Sequence, residues 1–110
     1  MKEKAKKVFI SGKITGDSDY KEKFAKAEKE LSAQGYLVMN PGVFPEGFSW
    51  FEYMTITLSM LEVCNAIYML DGWQDSRGAN LEYLQAQHKG YTILYQTPPN
   101  CPEREQECTK

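Results

Sequence analysis

Short apolar runs alternate along the chain with longer segments whose apolar residues recur every three or four positions. The apolar runs predict four β-strands, at residues 8–10, 36–39, 66–70 and 91–95. The longer segments predict three amphipathic helices, which start near Tyr20, Ser49 and Ser76. Because strands and helices alternate through short connections, the pattern predicts βαβ crossovers and a parallel sheet.

The predicted architecture is a small α/β three-layer sandwich of the flavodoxin or Rossmann-like type. Its four parallel strands are expected in the order 2-1-3-4, with helices on both faces of the sheet. Ligands of such sheets bind at the carboxyl ends of the strands whose connections diverge to opposite faces, here strands 1 and 3. We expect residues 1–97 to form a single domain and residues 98–110 to form a flexible tail.

The second predicted helix carries the clearest local signals. Ser49 and Glu52 match a capping box, in which each side chain bonds the backbone amide of the other residue. Phe48 and Tyr53 stand at the positions of a hydrophobic staple. Helical spacing also predicts one apolar stripe, formed by Phe51, Met54, Leu58 and Leu61.

Composition and charge exclude several classes of protein. With 110 residues and a formal charge of −2, the chain lacks the basic excess of proteins that wrap nucleic-acid polymers. No apolar run approaches the roughly 20 residues that span a bilayer, so no membrane partner is expected. The three cysteines, Cys64, Cys101 and Cys108, form no metal-spaced cluster, and their odd number is typical of a reducing compartment. These features predict a cytoplasmic protein without a bound metal.

The first candidate binding loop follows strand 1 and comprises Gly12, Lys13, Ile14, Thr15 and Gly16. Glycines let the backbone approach a ligand closely and leave amide groups free to bind an anion or a sugar. The loop has neither the Walker A spacing nor the GxGxxG spacing. A tight turn from strand to helix would use the same glycines, so both interpretations stay open here.

The second candidate loop leads from strand 3 into the third helix. Ser76 at the predicted N-cap presents a hydroxyl beside free amides, which suits a phosphate or carboxylate but is equally common as a plain cap. Gly78 in the first turn costs about 1 kcal/mol of helix propensity relative to alanine, which close approach of a ligand or of the sheet would explain. Trp73 is either a lid over a planar base or an interface anchor.

Glu82 is the most informative residue of the third helix. Ala79, Tyr83 and Ala86 recur at the spacing of a sheet-facing side, and Glu82 borders that side near the crevice. A carboxylate in such a place is partly desolvated, which is costly unless the group is hydrogen-bonded or takes part in chemistry. An exposed surface glutamate is the alternative interpretation.

The chain resembles a known family over about residues 8–95. The segments that carry the resemblance are residues 10–16 (ISGKITG), Asn40-Pro41, Trp50 with Tyr53-Met54, residues 64–67 (CNAI), Gly72-Trp73 and residues 76–82 (SRGANLE). Together they are similar to the DUF4406 family of the nucleoside 2-deoxyribosyltransferase-like superfamily. The same segments fall at the two candidate loops and at the start of the second helix.

The resemblance implies an enzyme that transfers or hydrolyses the N-glycosidic bond of a deoxynucleoside or its 5′-monophosphate. In catalytic members the glutamate matched by Glu82 is the nucleophile that attacks the anomeric carbon. The serine matched by Ser76 helps to hold a 5′-phosphate, and the loop matched by Gly12, Ile14 and Gly16 lines the sugar and base site. A carboxylate suits this chemistry because the sugar gains oxocarbenium character as the bond breaks.

Two residues depart from the family pattern. Related enzymes usually carry an aspartate where this chain has Thr57, and an aspartate is also common where it has Asn65. Neither residue can act as a carboxylic acid, so a nucleotide-binding module with impaired turnover is the alternative function. The resemblance also implies no cofactor and a homo-oligomer. Candidate interface aromatics are Trp50, Phe51, Tyr53 and Trp73.

Overall fold

The computed structural model describes residues 6–98, which fold into four strands and three α-helices. The strands are β1 (Lys7–Ser11), β2 (Leu37–Met39), β3 (Ala66–Met69) and β4 (Thr92–Tyr95). The helices are α1 (Tyr20–Ala33), α2 (Trp50–Glu62) and α3 (Arg77–His88), and two short 3₁₀ turns cover Pro41–Val43 and Trp73–Asp75. Apart from Pro98, the predicted tail lies outside the described residues.

The four strands form one parallel sheet in the order β2-β1-β3-β4, as the alternation of strands and helices predicts. In the register of the sheet, Phe9 of β1 pairs with Met39 of β2 on one side and with Ile67 of β3 on the other. The order reverses at β1 and β3, so their connections leave toward opposite faces of the sheet. The fold class and the strand order expected from the sequence are therefore confirmed.

Two hydrophobic clusters cover the two faces of the sheet. Val8 and Ile10 of β1 pack with Phe24 of α1 on one face, whereas Phe9 packs with Leu61 of α2 on the other. The three β1 side chains are fully buried, because alternate residues of a strand point to opposite faces and both faces carry helices. This central strand ends at the loop that contains the first predicted binding residues.

The N-terminus of α2 is built as the sequence predicts. Ser49 accepts a hydrogen bond from the Glu52 amide, and the Glu52 side chain accepts one from the Ser49 amide. The rings of Phe48 and Tyr53 meet edge to face at 5.8 Å between centroids, which completes the staple. These contacts fix the point at which the chain enters α2.

The predicted apolar stripe of α2 is wrong at one position. Met54 and Leu61 are buried and Leu58 packs against the core, but Phe51 is 71% exposed. Thr57, at 5% exposure, lies on the inward side. Phe51 stands roughly 80° around the helix from Leu61, so a helix that packs through positions 54, 57 and 61 turns it outward.

Candidate functional site

A cavity of about 690 Å³ opens beside the carboxyl end of β1. This volume is within the range of ligand pockets, roughly 300–1,000 Å³. Its wall combines the loop after β1, the start of α1, the segment before α2, α2 itself and the first turns of α3. Most of the predicted site residues line it, namely Gly12, Ile14, Thr15, Gly16, Ser76, Gly78 and Glu82. The tertiary structure therefore brings both predicted loops to one site.

Glu82 reaches this cavity from the second turn of α3 and is only 6% exposed. Its Oε1 accepts a hydrogen bond of 2.6 Å from the Ser11 hydroxyl at the end of β1. Burial raises the pKa of Glu82 from 4.5 to about 7, while hydrogen bonding by the hydroxyls of Ser11 and Thr57 acts in the opposite direction. No charged group in the described part of the chain contributes to this shift, so the pKa of Glu82 is set by burial and by two hydroxyl groups.

Thr57 is the second hydroxyl beside Glu82. It lines the cavity from α2 and is buried. Its Oγ1 lies 4.0 Å from the Met54 sulfur, a weak acceptor, whereas a carboxylate is a strong one. A hydrogen bond from the Thr57 hydroxyl therefore stabilises the ionised form of Glu82 and lowers the pKa of that carboxyl. Among the described residues, the two side chains that act on the Glu82 carboxylate are therefore neutral donors.

The glycine loop after β1 has both a packing and a lining role. A Cβ at Gly12 would lie 2.9 Å from Leu70 Cδ1, so the loop passes too close to Leu70 for any side chain. Ile14, Thr15 and Gly16 line the cavity. Lys13 is half-buried and does not line the cavity, which leaves it outside the candidate site.

The N-terminus of α3 forms another part of the wall. Ser76 is the N-cap, and its hydroxyl accepts a hydrogen bond of 3.1 Å from the Ala79 amide. A Cβ at Gly78 would lie 3.0 Å from the Met54 sulfur, so close packing of α3 against α2 explains this glycine. Of the two explanations considered for Gly78, a ligand or the sheet, the sheet is not its close neighbour, because the nearest atoms are side chains of α2.

Trp50 also lines the cavity, although the sequence indicated it only as an interface candidate and as part of the family resemblance. Its indole Nε1 lies 3.7 Å from the position of a Cβ at Gly78, at the junction of α2 with α3. The Arg77 guanidinium stacks over the indole at 4.0 Å from the ring centre, a cation–π contact. The position of Trp50 at the start of α2 could have indicated this role. A crossover helix starts at the edge of the sheet where the strands end, and ligands bind at that edge.

Three other residues of the cavity wall were also missed. They are Tyr20 of α1, Glu46 of the segment before α2 and Tyr53 in the first turn of α2. Burial raises the pKa of Tyr20, and the nearby Glu46 carboxylate adds to the shift. The Tyr53 hydroxyl donates a hydrogen bond of 2.5 Å to the Pro45 carbonyl. Residues 44–48 follow no helical or strand periodicity, so their position depends on how the chain folds back.

Trp73 does not line the Glu82 cavity. Its ring packs against Tyr83 of α3 at 4.6 Å between centroids, within the core cluster on that face of the sheet. It lines instead a separate cavity of about 160 Å³, together with Asp71 and Tyr95. The 3₁₀ turn after β3 directs the indole onto α3, and we therefore leave Trp73 out of the candidate site.

A family model described as a domain of unknown function, DUF4406, matches residues 6–95. The chain belongs to the DUF4406 family. The matched region contains the whole sheet, the three helices and every residue of the Glu82 cavity wall. A comparison with curated proteins found no match.

Two further properties of this DUF4406 chain concern metals and membranes. Within residues 6–98, no group of three or more His, Cys, Asp or Glu side chains could hold a metal ion. In the same range no helix is long and apolar enough to cross a membrane.

Cys64 is a free, buried thiol, and burial raises its pKa to about 11.

Proposed function

We propose that this DUF4406 protein breaks the N-glycosidic bond of a deoxynucleoside or its 5′-monophosphate, by hydrolysis or by transfer of the deoxyribosyl group. The observation that supports the proposal is the placement of Glu82, a buried carboxylate in a ligand-sized cavity. The resemblance of the chain to the nucleoside 2-deoxyribosyltransferase-like superfamily agrees with this chemistry. The cytoplasmic location stays a prediction.

Glu82 acts as the nucleophile in this proposal. The Ser11 hydroxyl donates to Oε1 at 2.6 Å and orients the carboxylate, one oxygen of which attacks the anomeric carbon. Positive charge develops on the sugar as the bond to the base breaks, and a buried carboxylate stabilises it strongly. The same burial raises the pKa of Glu82 to about 7, so the nucleophilic, ionised form is only partly populated at neutral pH.

The remaining wall supplies binding groups. The Gly12–Gly16 loop faces the sugar, and Ser76 with the first amides of α3 faces the 5′-phosphate, since a helix N-terminus favours anions. The aromatic residues Tyr20, Trp50 and Tyr53 offer surfaces on which a base can stack.

A base-release assay tests the function. The purified protein, incubated with a panel of deoxynucleosides and their 5′-monophosphates, should release free base. The Glu82→Gln variant keeps the size of the side chain and should lose this activity. Glu22→Gln, the same change at an exposed position of α1, is the matched control and should behave as the unmodified protein does. Equal release by both variants would exclude Glu82 as the nucleophile.

A nucleotide-binding module with impaired turnover is the second candidate function. The observation that favours it is Thr57, because the described side chains that act on the Glu82 carboxylate are hydroxyls and not an acid that could protonate a departing base. Calorimetry would then show nucleotide binding without any product in the assay.

We also propose that the chain forms a homodimer. Of the candidate interface aromatics, Trp50 and Tyr53 line the cavity and Trp73 packs on Tyr83, which leaves Phe51 exposed on the outer side of α2. An exposed large aromatic of this kind is typical of an interface.

A further inference from the structure

The wall of the Glu82 cavity is acidic and aromatic. It contains three carboxylates, Asp17, Glu46 and Glu82, and among the described residues no Lys, Arg or His lines it. Its aromatic members are Tyr20, Phe24, Phe44, Trp50 and Tyr53. Negative charge together with aromatic faces is the environment that recognises a flat cation, through Coulomb attraction and cation–π contact.

The carboxylates at Asp17 and Glu46 are not placed to donate protons. Asp17 accepts a hydrogen bond of 2.8 Å from Lys23 and one from the Asp19 amide, and these bonds lower its pKa. Glu46 is largely exposed and lies 3.8 Å from Lys21. Neither carboxylate affects the pKa of Glu82. The Tyr53 hydroxyl already donates to the Pro45 carbonyl, and burial raises the pKa of Tyr20, which makes its hydroxyl a weaker acid. Within the described chain, the reacting centre therefore has a nucleophile but no effective general acid.

This arrangement restricts the leaving group. When an N-glycosidic bond breaks, the base departs with the bonding electron pair. A neutral base then leaves as an anion unless an acid protonates it, whereas a base that already carries a positive charge leaves as a neutral molecule and needs no proton.

We propose that the preferred substrate is an N-glycoside whose base is already cationic, such as an N7-alkylated purine. This inference rests on the proposed function and names its substrate class. An oxygen of Glu82 forms a bond to C1′, the C1′–N bond breaks, and its electron pair neutralises the base. Water then attacks C1′, the bond between C1′ and the carboxylate breaks, and the proton of the water passes to the solvent.

The carboxylates also favour the binding of such a base. A cationic ring in the cavity gains from Glu46 and from the ionised form of Glu82, and it can stack on Trp50 or Tyr53.

The test compares 2′-deoxyguanosine 5′-monophosphate with its N7-methyl derivative, two substrates that differ by one methyl group and one positive charge. We expect kcat/KM for the methylated nucleotide to exceed that of the parent about 100-fold, the usual contribution of a general acid that this site lacks. Non-enzymatic release, measured in parallel, is subtracted from each. Equal values, or faster cleavage of the parent, would overturn the inference and leave the proposed function intact.

Binding is measured in the same experiment, so that the inference can be judged without turnover. The methylated nucleotide should bind about tenfold more tightly than the parent, and Glu46→Gln should reduce this preference while the matched control Glu22→Gln leaves it unchanged. If neither nucleotide is cleaved but the preference is present, bond cleavage is wrong and selection of a cationic ring stands. If neither nucleotide is cleaved and both bind equally, the two proposals fail together.

Discussion

Ser11 and Glu82 are 71 residues apart in sequence and meet through a buried hydrogen bond of 2.6 Å, in which the hydroxyl donates to Oε1. The bond joins the end of the central strand β1 to the second turn of α3. The bond depends on the face of the sheet to which Ser11 points, because successive residues of a strand point to opposite faces. A shift of β1 by one residue would turn the Ser11 hydroxyl away from α3. The candidate nucleophile is thus oriented by the sheet and not by its own helix.

Replacing Ser11 with alanine should raise the pKa of Glu82 further. The hydroxyl stabilises the ionised carboxylate, and a hydrogen bond to a charged group contributes about 1.5–3 kcal/mol, so the pKa should rise by roughly one unit or more. The acidic limb of kcat/KM against pH should move by the same amount. Ser59→Ala, which removes an exposed hydroxyl that donates to the Thr55 carbonyl, is the control. An unchanged limb in Ser11→Ala would mean that this hydroxyl does not tune the carboxylate.

The stability of the protein should fall between about pH 5 and pH 8 because of Glu82. Its pKa is raised from 4.5 in the unfolded chain to about 7 in the fold, so the folded state holds a proton that the unfolded state has lost. The proton on Glu82 therefore stabilises the folded state. This stabilisation is fully present below the pKa of the unfolded chain and is lost as the pH rises through the pKa of the folded state, and the total loss in the free energy of unfolding is about 3 kcal/mol.

Urea denaturation at several pH values measures this dependence. Glu82→Gln keeps a neutral side chain at all pH values, so its stability curve should lack the loss that the unmodified protein shows. Parallel curves for the two proteins would contradict the assignment, because other titrating groups are common to both.

Variants of Ser76 and Ser49 distinguish the effect of helix capping from that of ligand binding. Each serine is an N-cap, and of the two only Ser76 lines the cavity. Replacement of either by glycine should cost only a few tenths of a kcal/mol of stability. Ser76→Gly should in addition raise KM for a deoxynucleoside 5′-monophosphate about tenfold, through loss of one hydrogen bond to the phosphate. Its KM for the corresponding nucleoside should not change. If Ser49→Gly raises KM equally, the effect comes from helix stability and not from contact with the phosphate.

Gly12 should tolerate alanine less well than Gly78 does. The added methyl at Gly12 would meet the buried Leu70 at 2.9 Å and 3.0 Å, and such overpacking costs about 1–3 kcal/mol. At Gly78 the new contact is with the flexible Met54 side chain, and the helix gains about 1 kcal/mol of propensity. Chemical denaturation of the two variants should show this order, and the reverse order would refute the packing argument.

Phe51 should contribute to self-association. Sedimentation equilibrium of the unmodified protein should report a dimer, and Phe51→Glu should shift it toward the monomer by placing a charge in an apolar contact. Val43→Glu, a matched change at another exposed apolar residue, should leave the dimer intact. A monomer at all concentrations would remove the homodimer from the proposal.

The sequence by itself determined the class of fold and the order of the strands, and it placed Glu82 at the border of the sheet-facing side of α3 while an exposed position stayed open. These properties follow from the spacing of apolar residues and from local caps, which act over a few residues and can be read without knowing the rest of the chain. The same spacing wrongly predicted that Phe51 is buried. A stripe of apolar residues does not determine the rotation of a helix about its own axis, and this rotation decides which residues face the core.

Only the tertiary structure decided which groups surround the carboxylate. The contacts of Glu82 with Ser11 and Thr57, the stacking of Arg77 on Trp50 and the turn of Trp73 away from the cavity join residues that are distant in sequence or set by loops. Burial is a property of the assembled layers, and it is burial that moves the pKa of Glu82 to about 7. The local pattern therefore marked Glu82 as a candidate, whereas the packing of the layers decided that it is buried and which groups it contacts.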